Sequence, residues 1–220
     1  NGTSRINLKI RSDVESEING MGPVIRKEDL ELLYEQLDTL KDDDVLVLAG
    51  SIPSGMPQSI YRDIMSRLQS KRIKIAVDAT KDLLMNVLAY HPFVIKPNNH
   101  ELSEIFDIMI DSKEKAVVYA KELQKKGAQN VIVSMAGEGA VFVGSDGSVF
   151  TSEAPHGVVK NSVGAGDSMV AGFLAGYLAK GDYAEAFKMG LCTGSASAFS
   201  DQLATREEVE QVRRSHIFDF

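Results

Sequence analysis

The stretch NSVGAGDSMVAGF, residues 161–173, places two glycines, an alanine and an aspartate just before an apolar segment with helical spacing. A helix start leaves backbone N–H groups without intrahelical acceptors, and the helix dipole adds partial positive charge there. Gly164, Ala165 and Gly166 carry almost no side chain, so a phosphate oxygen could reach these N–H groups directly. The dipole also favours ionised Asp167, which could then accept a proton at neutral pH. The stretch therefore predicts an anion site and a base within one turn, as phosphoryl transfer to a hydroxyl requires.

Two other nucleotide-binding motifs do not fit this stretch. A dinucleotide fingerprint needs Gly or Ala at the position of Met169 and an acid at the end of a following strand, whereas here a helix follows. A Walker A loop needs Gly-Lys-Ser/Thr, which the chain lacks. An ordinary helix start with a stabilising acidic residue explains the stretch about equally well when it is taken alone.

The composition is that of a soluble globular protein. The 220 residues are 44% hydrophobic and 25% charged, enough for one generous α/β domain. A net charge of −7 argues against nucleic acid as a partner, so positive charge for an anionic ligand would have to be gathered locally. Cys192 is the single cysteine and is expected to be a buried, inert thiol, which fits the reducing cytoplasm. No apolar run approaches membrane-spanning length, so we expect no membrane partner.

Predicted strands and helices alternate along most of the chain. Apolar runs predict strands near residues 45–50, 73–77, 93–95 and 130–137, and amphipathic patterns predict helices near 27–40, 58–69, 81–88 and 113–125. The run at 45–50 is typical of a strand buried on both faces. A hairpin follows near 140–151, and two helices near 165–179 and 183–199 are expected to close the chain. The pattern predicts an α/β fold with a mostly parallel sheet.

The first residues follow a different pattern. Residues 5–11 alternate apolar and polar side chains, and a second strand near 17–19 ends at Gly20 and Gly22. Such alternation is typical of a half-exposed strand. We therefore expect residues 1–22 to belong to a small β flap, or lid, and residues 23–220 to form the α/β nucleotide-binding core.

Two further motifs follow predicted strands. In KPNNHE, residues 96–101, Asn98 and Glu101 could hold a hydrated Mg²⁺ beside phosphates, although a capped helix start is the more probable reading of the motif alone. SMAGEGA, residues 134–140, is a Gly-rich turn, for which a plain hairpin is the more probable reading. Because ligands bind at the carboxyl ends of parallel strands, the motifs together favour one ligand site.

These residues together resemble the ribokinase-like carbohydrate kinases, or PfkB family, over nearly the whole chain. The resemblance implies helices on both faces of the sheet. The 161–173 stretch is similar to the family's C-terminal signature, whose aspartate is the catalytic base. That implies the base role for Asp167 and an anion hole at Gly164, Ala165 and Gly166. The segment 50–53, GSIP, is similar to a family loop.

The resemblance also implies how ATP and Mg²⁺ would be bound. The family's N-x-x-E motif carries to Asn98 and Glu101, with Glu101 supporting the metal and Asn98 acting through water. The strand and turn that contact ATP carry to a set of small and polar residues. The implied ATP-binding residues are Asn98, Ser134, Gly137, Glu138, Gly139, Gly164 and Gly166.

The substrate is suggested by the flap. SRINLKI and EINGMGP are most similar to the branch of the family that converts fructose 1-phosphate to fructose 1,6-bisphosphate. In that branch the flap arginine binds the phosphate already on the sugar, which carries to Arg5, while Asp167 works at the acceptor hydroxyl. The alternatives are a tagatose-6-phosphate kinase, another sugar kinase of the family, and a non-catalytic nucleotide- or sugar-phosphate-binding module. The expected partners are a phosphorylated ketohexose, ATP and a second copy docked through the flap.

One part of the family pattern is not found in these residues. The family begins with a strand that bears a sugar-binding aspartate, followed by a Gly-Gly-rich sugar motif. We therefore expect the sequence to be a piece of a longer chain that carries the ATP half of the site, the base and part of the sugar site. A molecule that began at Asn1 would lack the rest of the sugar site, which would put its activity in question.

Overall fold

In the described part of the chain, six strands form one sheet and two form a separate small sheet. The computed structural model describes residues 4–10, 16–20, 22–53 and 55–220. The small sheet pairs β1 with β2 antiparallel, and the large sheet runs β3-β4-β5-β6-β7-β8 in chain order. The strands are β1 (Asn7–Ile10), β2 (Ser16–Asn19), β3 (Val45–Ala49), β4 (Lys74–Asp78), β5 (Val94–Ile95), β6 (Asn130–Ser134), β7 (Ala140–Val143) and β8 (Val149–Ser152).

The pairing within the large sheet confirms that it is mostly parallel. β3 to β6 pair parallel, because a helix or a longer segment separates each strand from the next. β7 and β8 add antiparallel strands at one edge. The predicted turn joins them, and the N–H of Gly144 donates to the carbonyl of Ser148 at 2.8 Å.

Helices cover both faces of the large sheet. They are α1 (Lys27–Asp38), α2 (Ile60–Leu68), α3 (Lys81–Met85), α4 (Asn99–Phe106), α5 (Lys113–Lys125), α6 (Ala165–Lys180), α7 (Tyr183–Phe199) and α8 (Arg206–Ser215). Neighbouring residues of β6 point to opposite faces: Val131 and Val133 join a core with α5, whereas Ile132 joins a second core with Phe173 of α6. Two separate cores of this kind are what an α/β layer fold requires.

Two expectations about helices and strands were wrong. The chain does not close with α7, because α8 follows; its Thr205–Glu208 capping box was a readable start signal. β3 is not buried on both faces, since Val47 keeps 46% of its surface exposed while Leu48 is buried. Within the described residues β3 is an edge strand, so an apolar run alone overestimated its burial.

Cys192 lies on α7 and is fully buried, as expected. Burial raises the pKa of its thiol to about 12, so almost none of it is thiolate near neutral pH. Within the described ranges, every helix falls short of the length and hydrophobicity that a membrane span requires.

Candidate active site

The amino end of α6 is an open helix terminus. Gly164 is its N-cap residue, with φ of +78°, a left-handed conformation that glycine adopts without strain. It makes no side-chain capping bond, so within the described residues the N–H groups of Gly166 and Asp167 stay available to an anion, whereas the N–H of Ala165 donates to the carbonyl of Ser162 at 3.3 Å. A Cβ at Gly164 would lie 2.8 Å from Cδ2 of Leu203, an exposed side chain that can move aside, so the positive φ is the reason for glycine here.

Asp167 lies in the first turn of α6, and its side chain is exposed. The next residue, Ser168, is buried and accepts a hydrogen bond at 2.9 Å from the hydroxyl of Ser197 on α7. The helix therefore anchors itself one residue beyond Asp167 and leaves that carboxylate free to face a ligand. An exposed carboxylate in the first turn is expected of a residue at the amino end of a helix, not of a core residue.

A buried lysine lies against the same turn. Lys96 directly follows β5 and is only 6% exposed. A Cβ built on Gly166 would be 3.1 Å from Nζ of Lys96, so the missing side chain of Gly166 is what leaves the ammonium its space. Lys96 is the first residue of the motif KPNNHE, and no role was predicted for it, although a lysine that directly follows a buried strand was a signal.

Asp78 is the partner of this lysine. Nζ of Lys96 lies 3.3 Å from Oδ2 of Asp78, and both side chains are largely buried. Asp78 ends β4, the strand next to β5, so the parallel register brings the two side chains together. Burial raises the pKa of Asp78, the Lys96 charge opposes that rise, and the charge of Asp167 adds to it. Asp167 is therefore close enough to Asp78 for the two charges to interact. Sequence reasoning missed Asp78 as well.

Asn98 and Glu101 form a reciprocal capping box at the start of α4. The N–H of Glu101 donates to Oδ1 of Asn98, and the N–H of Asn98 donates to Oε2 of Glu101, both at 2.8 Å. The capped helix start weighed from the sequence is thus present, and it fixes the Glu101 carboxylate beside the other charges. Burial raises the pKa of Glu101, while the Asn98 N–H and the Lys96 charge oppose the rise and Asp78 adds to it.

The Gly-rich turn follows the next strand of the sheet. Ser134 ends β6 and bridges to Asn98, which places it at the same edge. Gly139 has a φ of +89°, and a Cβ there would lie 2.0 Å from the carbonyl oxygen of Ser152, so backbone packing alone requires this glycine. Gly137 has no atom within 4 Å of its Cβ position, and Glu138 is exposed beside it. These two residues face open space at the carboxyl end of β6.

Arg5 of the flap reaches the carboxyl end of β3. Its Nη1 donates to Oγ of Ser51 at 2.6 Å, and its Nε donates to Oδ1 of Asn7 at 2.8 Å. Ser51 lies in the loop at residues 50–53, whose Gly50 N–H donates to the Asp78 carbonyl at 3.2 Å. A short path of contacts thus joins the flap arginine to the Asp78–Lys96 pair.

These contacts bring the carboxyl ends of β3 to β6 and the amino end of α6 to one edge of the sheet, the place where open α/β sheets bind ligands. The edge combines N–H donors, a buried ammonium, three carboxylates and a surface arginine. Across residues 4–10, 16–20, 22–53 and 55–220, no group of three or more His, Cys, Asp or Glu could hold a metal ion directly. A divalent cation at the carboxylates would therefore have to keep water in its coordination shell.

Known proteins share this chain's sequence and fold. The family model described as pfkB family carbohydrate kinase matches residues 3–208. A 1-phosphofructokinase of Bacillus subtilis (strain 168) is 44% identical over 211 residues, which are 96% of this chain and 69% of that protein. A D-tagatose-1-phosphate kinase of Bacillus licheniformis is 30% identical, with the same two shares covered.

A solved structure agrees with these relatives. Phosphofructokinase-2 from Escherichia coli, in complex with fructose-6-phosphate, matches with a TM-score of 0.84 at 25% identity. The match covers 94% of this chain and 69% of that one. The ribokinase-like fold predicted from the sequence is confirmed, and the chain belongs to the pfkB family of carbohydrate kinases.

Proposed function

We propose that the protein transfers the γ-phosphoryl group of ATP to a hydroxyl of fructose 1-phosphate and so forms fructose 1,6-bisphosphate. The 44% identical relative is a 1-phosphofructokinase, and a kinase of this family uses ATP as its phosphoryl donor. The observation that carries the proposal is the exposed Asp167 at the open amino end of α6. That end pairs a proton acceptor with N–H donors for a phosphoryl group, which is what the reaction needs.

The proposed transfer breaks one bond, forms another and needs a proton acceptor, which this chain provides. The bond between Pγ and the oxygen of the departing ADP breaks, and a bond from the sugar hydroxyl oxygen to Pγ forms. Asp167 takes the proton that this hydroxyl loses. The N–H group of Gly166 stabilises the charge on the transferred group, and the N–H of Ala165 joins it by giving up its 3.3 Å bond to the carbonyl of Ser162. Gly164 keeps the approach free of side-chain atoms.

ATP would lie along the edge from α6 towards β6. In this proposal Gly164 and Gly166 hold the phosphates, and Asn98 and Ser134 lie beside them. Gly137 and Glu138 border open space at the next strand end, where the nucleoside has room, whereas Gly139 shapes the turn.

Mg²⁺ fits the charges at this edge. Asp78, Glu101 and Asp167 carry three negative charges around one ammonium, and burial disfavours the charged forms of Asp78 and Glu101. A divalent cation would offset that repulsion. Glu101 would hold the ion, with Asn98 acting through water. When bound, the ion neutralises charge on the donor phosphates.

Arg5 is proposed to bind the phosphate that the sugar already carries. A guanidinium presents a planar fork that matches two phosphate oxygens, and Ser51 holds this one at the edge of the site. Tagatose 1-phosphate carries its phosphate on the same carbon as fructose 1-phosphate, so Arg5 suits either sugar. The 30% identical relative therefore makes a tagatose-1-phosphate kinase the second candidate, in place of the tagatose-6-phosphate kinase suggested by sequence.

The flap is proposed to join two copies of the chain. Ile6, Leu8, Ile10 and Ile18 keep between 43% and 69% of their surface exposed. Strand alternation and the pairing of Leu8 with Ile18 put all four on one face. A two-stranded sheet is marginal alone, and the same face of a second flap would cover this one symmetrically.

We expect Asp167→Asn to leave the fold intact and to lower kcat by about 10²–10⁴-fold, because the amide keeps the shape but cannot accept the proton. The measurement is ADP release with fructose 1-phosphate, with thermal unfolding as the check on folding. Near-normal kcat in a folded variant would remove Asp167 from the mechanism. If the unaltered protein binds both ligands without releasing ADP, the non-catalytic module is the better description.

Glu101→Gln should raise the Mg²⁺ concentration needed for half-maximal rate more than it raises the KM for the sugar. A glutamine can still complete the capping box with Asn98, so the helix start survives while the charge is lost. Glu104→Gln, one turn further along α4, is the matched control. Mg²⁺ titrations that overlay for the Glu101 variant and the unaltered protein would contradict the assignment.

Arg5→Ala should lower kcat/KM for the sugar phosphate by roughly 30–1,000-fold and change ATP affinity little, because the phosphate loses its charged partner. Calorimetric titrations with fructose 1-phosphate and with a non-hydrolysable ATP analogue separate the two ligands. Arg72→Ala, an exposed arginine paired with Asp42, serves as the control. An equal loss of affinity for both ligands, or no loss for the sugar phosphate, would contradict the role of Arg5 and favour a kinase of unphosphorylated sugars.

Leu8→Asp should halve the mass of the protein in solution, because a charge on the apolar face of the flap opposes its burial in a dimer. Sedimentation velocity across a concentration series is the measurement. Val118→Asp, at another exposed apolar position on α5, should leave the mass unchanged. A protein that is monomeric without any substitution, or a variant that stays dimeric, would rule out the flap as the interface.

A further inference from the structure

Lys96 is held in a way that a purely structural role does not require. Lysine is almost never fully buried unless it is paired, and Lys96 is 6% exposed with Asp78 as its ion-pair partner. An ammonium has three N–H donors, and one carboxylate oxygen at 3.3 Å occupies one of them. The other two N–H donors of the ammonium still need acceptors.

Gly166 leaves open the space between this ammonium and the amino end of α6. The Cβ position of Gly166 is 3.1 Å from Nζ of Lys96 and 3.4 Å from its Cε. An alanine there would push the ammonium away by a few tenths of an ångström, and a larger side chain would take the space between the ammonium and the amino end of α6. The lysine therefore lies against the turn whose N–H groups are proposed to hold the transferred phosphoryl group.

The local charges also favour an anion beside Lys96. Helix dipole and ammonium have the same sign, so bringing Nζ to the amino end of α6 is unfavourable unless an anion joins them. Asp78, at the end of β4, offsets part of that repulsion through its ion pair with the ammonium. A phosphoryl group between Nζ and the helix would offset the rest.

We propose that Lys96 is a catalytic residue, whose ammonium contacts a non-bridging oxygen of the transferred phosphoryl group through the gap left by Gly166, and that Asp78 is its positioning residue. This inference rests on the proposed function, since it names a further group for the same transfer. The charge on the phosphoryl oxygens is spread in the transition state, and a fixed cation beside them lowers the barrier. Lysine suits this role because it acts as a point charge.

A competing explanation gives Lys96 only the task of neutralising Asp78. Two variants separate the explanations: Lys96→Met, and the double variant Lys96→Met with Asp78→Asn. The single variant leaves a buried carboxylate without its ion-pair partner and is expected to lose stability. The double variant replaces the pair with neutral groups of similar shape and should regain stability, as thermal unfolding would show.

We expect both variants to lose about 10²–10³-fold in kcat, the size of effect seen when a charge-stabilising donor is removed. A double variant that regains both stability and kcat would overturn the proposal, because neutralising Asp78 would then be the whole role of the lysine. Asp78→Asn alone, which keeps the ammonium, should lose less activity than either.

A binding experiment tests the contact without turnover. Calorimetry with a non-hydrolysable ATP analogue and with ADP measures the preference for a third phosphate. That preference should fall about tenfold or more in the double variant, whereas ADP binding should change little. An unchanged preference would overturn the contact. If the unaltered protein fails to phosphorylate fructose 1-phosphate but this preference still depends on Lys96, the acceptor is wrong and the role of Lys96 stands.

Discussion

The buried ion pair of Lys96 and Asp78 is the contact around which the functional edge is arranged. It joins the ends of β4 and β5 and lies under the first turn of α6, so three elements meet at one pair of charges. Each buried ion costs roughly several kcal/mol of desolvation, and removing one partner leaves that cost uncompensated. The strand register must therefore hold the two charges together. The same register sets where Asn98 and the proposed anion-binding turn lie.

The position of that turn depends on two glycines of α7. A Cβ on Gly194 of α7 would lie 3.0 Å from the carbonyl of Ala165, and one on Gly190 would lie 3.0 Å from that of Met169. Because these side chains are absent, α7 packs directly on the backbone of α6. Ser197 adds a second constraint, since its hydroxyl donates to Ser168 and accepts the N–H of Ala204 at 3.1 Å. The amino end of α6 is thus fixed from behind, which leaves Asp167 facing outward.

The sequence predicted what local patterns determine and missed what depends on neighbours. Helix α5 was predicted with its observed limits, because caps and apolar period are local properties. The signature at 161–173 identified the family for the same reason. Lys96 and Asp78 were missed because each alone resembles a solvated residue after a strand; only strand order makes them partners. The burial of Val47 was overestimated because exposure depends on which strand and helix lie beside it. The Asn98–Glu101 motif predicted either a capped helix start or a site for hydrated Mg²⁺. The observed capping box is compatible with both, because it fixes the Glu101 carboxylate at the functional edge.

The charge of the whole protein explains why this edge needs several sources of positive potential. At −7, the chain offers a polyanion no general attraction, so in the proposed function binding relies on Arg5, Lys96 and the end of α6. Asp78, Glu101 and Asp167 offset most of that potential at the same place. A donor with several phosphates would therefore be poorly held by protein charges alone. In the proposed reaction a divalent cation supplies the difference, and it does so only when nucleotide and protein carboxylates meet around it. The acidic groups would then make binding of the donor depend on the metal while leaving Asp167 able to take the proton.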